Sequence, residues 1–295
     1  MVTDVPIRLL GAAIAAAAAI AVAAPAAAAP PAPDGYTMTD FDPERHSFRF
    51  VNSWNTGDLA VDLPLVGGAS FKGIRYGLCG GMSFAALDSF HADRVVPAGQ
   101  TTEPADGTPL RDYVWSRQID SLTVGGAGAL ARFLDWQWKP LDDQHLFGVR
   151  VQKGLRTLTR EEFLFELRPR LVRGEPVPLG MVNVSGFTEP WGNHQVLAVG
   201  YRNRGGGHAS IAIYDPNYPI SAANPDGITF LHTGNRRQTL GPSPNGARAH
   251  DGRFRGLFRA PYQKKTPPTP PWTRPGDRVQ VRPGTIVGRP APIRR

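Results

Sequence analysis

Apolar positions follow two different periods along this chain. From residue 79 to about 174 they recur every three or four residues, the spacing of helices. Beyond 177 they come in short runs bounded by Gly, Asn and Pro, the spacing of strands. Met82, Ala85, Ala86 and Phe90 predict a helix from about Cys79 to about His91. Thr108-Pro109 starts a second, with threonine as cap and proline in the first turn, continuing through Leu110, Val114, Ile119 and Leu122. Gly125, Gly126 and Gly128 interrupt it before Leu130, Phe133, Leu134 and Trp138 resume the stripe. Thr159-Arg160-Glu161-Glu162 reads as a capping box for a third helix, faced by Phe163, Leu167 and Leu171 and ending near Gly174. Strands are expected at residues 177–184, 195–201, 209–214, 228–232 and 254–258, and residues 48–52 read as a short strand or extended arm. Helices first and strands second predict an α+β fold with a helical lobe followed by an antiparallel β lobe.

The flanks differ in composition. Residues 1–28 have the alanine-rich apolar run and small-residue end of a secretory signal, which implies a secreted or envelope-associated protein. Asp4 offsets Arg8 ahead of that run, so an uncleaved anchor is the alternative. Residues 29–44 read as a disordered Pro- and Ala-rich spacer, 45–260 as the folded body, and 261–295 as a Pro-rich basic tail. That tail carries eight basic residues against Asp277 alone, so nearly all of the net charge of +8 lies there. A body close to neutral argues against nucleic acid as a partner. The tail is suited instead to loose contact with an anionic cell envelope.

In an exported chain a single cysteine is informative, because disulfides need pairs. Cys79 is that cysteine. It lies where a glycine turn gives way to a helix, and helix N-termini favour an anion such as a thiolate. Gly80 and Gly81, poor helix formers, are read as leaving room for a substrate backbone. Against catalysis stands the tendency of free cysteine simply to pack. Two later stretches answer it. His194 opens one apolar strand and Asp215 follows the next, and in an antiparallel pair the start of one strand lies beside the end of its neighbour. Cys79, His194 and Asp215 then form a nucleophile, base and orienter. A buried strand histidine and an ordinary Asp-Pro-Asn turn are the plain alternatives for the last two.

Gly77-Leu78-Cys79-Gly80-Gly81-Met82-Ser83, then Asn193-His194-Gln195-Val196-Leu197-Ala198, then Ile213-Tyr214-Asp215-Pro216-Asn217 resemble the papain-like cysteine peptidase superfamily. The nearest branch is that of the bacteriocin-leader peptidases, which use aspartate as third member, and the resemblance spans residues 50–231. It implies a cleft between the two lobes, a thiol protease activity and no cofactor. Such enzymes usually place an oxyanion-hole glutamine a few residues before the cysteine. Here that place falls near Gly73, and no glutamine precedes Gln100. Asn52 or Asn55 could supply that amide from another direction, with Asn52 the leading candidate. Losing one such donor costs on the order of a hundredfold or more in rate.

The expectation is an exported monomeric cysteine hydrolase cleaving a peptide or isopeptide bond through a Cys79 thioester. The alternatives are a transglutaminase-like acyltransferase and a catalytically silent peptide- or cell-wall-binding relative. The remaining histidines show no ligand spacing, so no metal is expected. Asp88 and Asp93 are read as solvated, Trp115, Trp136 and Trp138 as packing, and Trp191 as a shield beside His194.

Overall fold

A computed structural model describes residues 35–54, 77–125, 128–186, 192–240 and 249–269. The expected signal at 1–28, Asn55, Gly73 and Trp191 lie outside the described residues. The elements run β1 (Thr37–Met38), α1 (Pro43–His46), α2 (Cys79–His91), α3 (Pro109–Thr123), α4 (Gly128–Trp138), β2 (Gln144–Leu146), β3 (Val149–Gln152) and α5 (Leu155–Glu161). A π-helical stretch (Glu162–Leu167) then leads into α6 (Arg168–Val172). The strands β4 (Val177–Val182), β5 (His194–Gly205), β6 (His208–Tyr214), β7 (Thr229–His232), β8 (Arg237–Leu240), β9 (Ala249–Arg253) and β10 (Gly256–Arg259) complete it.

The fold is α+β, and all the pairings among the described strands are antiparallel. One eight-stranded sheet runs β10-β4-β5-β6-β7-β8-β9 and curls into a half-barrel, with β1 attached to β5 beyond the end of β4. Gly200 permits that attachment, since a Cβ there would lie 2.3 Å from the Met38 sulfur. β5 is the axis of the structure. Val196 and Ala198 point to the face covered by Phe163, Leu167 and Leu171. Leu197 and Val199 point to the other face, against Ala86 and Leu87 of α2. On its far side α2 packs Met82 and Ala85 against Leu110 and Val114 of α3. Sandwiched in this way, α2 is buried continuously from Gly80 to Ser89, so it shows no polar stripe.

Several expectations are corrected. Residues 29–44 are not all spacer: β1 pairs Thr37 and Met38 with Tyr201 and Gly200, and Phe41 is buried against Tyr214. The body therefore begins before residue 45. Residues 48–52 form no strand, and the chain bends at Arg49, Phe50 and Asn52. The third helix starts at Leu155, and the supposed capping box lies inside the helical segment. Thr159 Oγ1 accepts the Leu257 N–H and a Glu162 carboxylate oxygen accepts the Arg259 N–H, so these side chains fasten β10 instead. The helix widens to π just ahead of Pro169, which has no N–H to continue the ladder. Asp88 is wholly buried rather than solvated, and Trp138 is about half exposed rather than packed. Asp93 is exposed and pairs with Arg45.

The segment after residue 260 also departs from the expected tail. As far as Pro267 it is held to the helical part of the chain. Tyr262 Oη and the Lys265 N–H donate to Asp88, Lys265 Nζ pairs with Asp120, and the Gln263 carbonyl accepts from Arg117.

Candidate active site

Cys79 is the first residue of α2 and is partly exposed, with a free thiol. Leu78 caps the helix without a side-chain hydrogen bond. The third N–H of the helix, that of Gly81, donates to Gln118 Oε1 of α3 at 2.8 Å. The N–H groups of Cys79 and Gly80 stand ahead of it at the positive end of the helix. The two glycines have a different cause from the one expected. A Cβ on Gly80 would lie 2.1 Å from Ser121 Oγ, and one on Gly81 would lie 2.2 Å from the Val114 carbonyl. Their bareness lets α3 approach α2, so the room is taken by the protein itself and not by a substrate.

His194 is the first residue of β5, and Asp215 follows the last residue of β6. Their strands pair with Leu197 opposite Tyr214, which brings the start of one beside the end of the other. His194 Nε2 meets Asp215 Oδ1 at 2.7 Å, and the Cys79 sulfur lies close enough to act on the same ring. With Nε2 held by the carboxylate, Nδ1 is the nitrogen left for sulfur. Burial works to strip the proton from this imidazole. The Asp215 carboxylate and the Cys79 sulfur outweigh it and push His194 up to about 10. Three side chains distant in sequence thus meet around one ring.

Asp215 has no exposed surface. Burial would raise its carboxyl, but the charge and hydrogen bond of His194, the Asn217 N–H and the Gln238 amide together hold it below the usual carboxylate range. No family model, curated protein or solved structure matches the chain. The site therefore rests on its own geometry.

Asn52 reaches the same region from the N-terminal arm. Its N–H donates to the Pro216 carbonyl at 3.0 Å and its Nδ2 to Asn217 Oδ1 at 2.9 Å. Gly77, two residues before the cysteine, is packed so tightly on it that a Cβ would fall 2.1 Å from Nδ2. Asn52 therefore links the turn after Asp215 to the segment entering Cys79, with one amide hydrogen already engaged.

Sequence reasoning missed Gln118 and Gln238. Gln238 Nε2 donates to Asp215 Oδ2 at 2.5 Å and to Thr229 Oγ1 at 3.1 Å. The signal for its strand was present in Gly234-Asn235, a turn pair between two short β-prone runs. Among the described residues no group of His, Cys, Asp and Glu could hold a metal ion.

Proposed function

We propose that this chain is an exported thiol hydrolase of papain-like design that opens a peptide or isopeptide bond. The observation carrying this reading is the His194 ring, bonded on Nε2 to a buried aspartate, with the Cys79 sulfur beside it at the start of a buried helix.

The residues supply each proton movement. His194 Nδ1 takes the proton of the Cys79 thiol, giving an imidazolium and a thiolate side by side. The sulfur attacks the carbonyl carbon, and the resulting oxyanion lies at the end of α2, where the Cys79 N–H can donate. Asn52 is the candidate for the second donor. The C–N bond then breaks, the His194 proton passes to the departing amine, and a thioester remains on Cys79. Water gives a proton back to His194 and attacks the thioester, which releases the acid and restores the thiol. Asp215 keeps its charge throughout and fixes the ring. An amine in place of water would make the same thioester an acyl donor.

A small panel of peptidyl vinyl sulfones tests the proposal without knowledge of the substrate. The expected result is a covalent adduct on Cys79 in the unmodified chain and none in His194→Ala. A wild-type chain whose thiol titrates with Ellman's reagent but forms no adduct with any member of the panel would overturn it.

A further inference from the structure

The geometry points to Gln238 as a positioning residue of this site: its amide fixes the rotation of the Asp215 carboxylate, and through it the plane of the His194 ring that faces Cys79. The inference rests on reading Cys79, His194 and Asp215 as one catalytic set, and it adds a fourth member from a strand, β8, that holds none of the three.

A carboxylate has one free torsion that decides where its two oxygens point. Oδ1 of Asp215 takes the His194 Nε2 contact at 2.7 Å and the Asn217 N–H at 2.9 Å. Both of those partners act on the same oxygen and leave Oδ2 to another donor. Gln238 holds the other oxygen, Oδ2, at 2.5 Å. Since a carboxylate only accepts, the NH2 end of the Gln238 amide must face it. That end also donates to Thr229 Oγ1 at 3.1 Å, which uses its second hydrogen. Thr229 and Asp215 have no exposed surface and Gln238 is 5 % exposed, so water cannot replace the contact. Register explains why the amide can reach. Gln238 lies opposite Leu231, and Thr229 opposite Ile213, which puts all of these on the sheet face that Asp215 continues.

The chain has one cysteine, so intact mass reports alkylation of Cys79 alone. The experiment follows the second-order rate with iodoacetamide, from about pH 6, below histidine's ordinary value, to about pH 11, above the raised value of His194. It uses the full chain, Gln238→Met and Thr229→Val. The unmodified chain is expected to keep reacting near the acidic end, because an imidazolium holds the thiolate there. Gln238→Met should lower that acidic rate by about tenfold, the worth of a hydrogen bond to a charged group. The rate at the alkaline end, where the thiolate forms without the imidazolium, should stay at the wild-type level. Thr229→Val, which frees Gln238 without removing it, should move the acidic rate in the same direction by less. An unchanged acidic rate in Gln238→Met, or an equal fall at both ends, overturns the positioning role while leaving the catalytic set intact. A wild-type chain that does not react at the acidic end overturns the set itself. If Gln238→Met does not fold, an unchanged acidic rate in Thr229→Val overturns the proposal.

Discussion

Asp88 Oδ2 and Arg117 Nε meet at 2.7 Å, and neither side chain has any exposure to solvent. The pair ties the last turn of α2 to α3, and Tyr113 and Tyr262 donate to the same carboxylate. Both phenols are shifted upward, first by burial and then by that carboxylate, so they remain donors at any ordinary pH. Removing one member of a buried ion pair leaves the other charge uncompensated. Arg117→Met is therefore expected to cost about 3–5 kcal/mol, measured by denaturant unfolding. A loss under about 1 kcal/mol would contradict the role given to this pair.

The His194–Asp215 pair sets a pH window for stability. The His194 value is raised in the folded chain, to about 10, so its contribution is complete below the ordinary histidine value of about 6.5 and declines as pH rises toward about 10. The Asp215 value is lowered, so its contribution is present above the ordinary aspartate value and fades as pH falls through the folded one. Stability measured between neutral pH and about 10 should fall in the unmodified chain and fall less in His194→Gln. Parallel curves would show that the ring gains nothing from its partners.

Asn52→Ala separates binding from turnover. If its amide meets the oxyanion, kcat against a cleaved peptide drops about a hundredfold while KM changes little. An unchanged kcat would leave Asn52 as a brace between Asn217 and Gly77 and nothing more.

Gly81→Ala tests the close approach of α3. Alanine is favoured over glycine inside a helix by up to about 1 kcal/mol, so propensity alone predicts a gain. The Val114 carbonyl 2.2 Å from the new Cβ predicts a loss of about 1–3 kcal/mol, because backbone cannot step aside cheaply. A higher melting temperature in Gly81→Ala would show that the helices can separate without cost.

Local chemistry was legible where one residue type has one common use. Thr108 caps α3 by accepting the Arg111 N–H, as its position before Pro109 implied. The ends of α2 follow from its apolar spacing and the glycines before it. The neighbourhood of His194 and Asp215 follows from antiparallel pairing alone. What the sequence did not show depends on partners far along the chain. Asp88 looks like any helix-end carboxylate until Arg117, Tyr262 and Lys265 arrive. Thr159 and Glu162 match a cap motif, yet β10 takes their oxygens first. Gln238 belongs to a polar strand whose inward face becomes visible only once β7 fixes its register.

The helix that begins with Cys79 is braced in part by residues synthesised almost two hundred positions later, because Tyr262 and the Lys265 amide serve its buried Asp88. A product ending at residue 260 would hold the sulfur, the imidazole and the carboxylate, yet their scaffold would be unfinished. Proteolysis just past β10 would then loosen that scaffold without touching Cys79, His194 or Asp215.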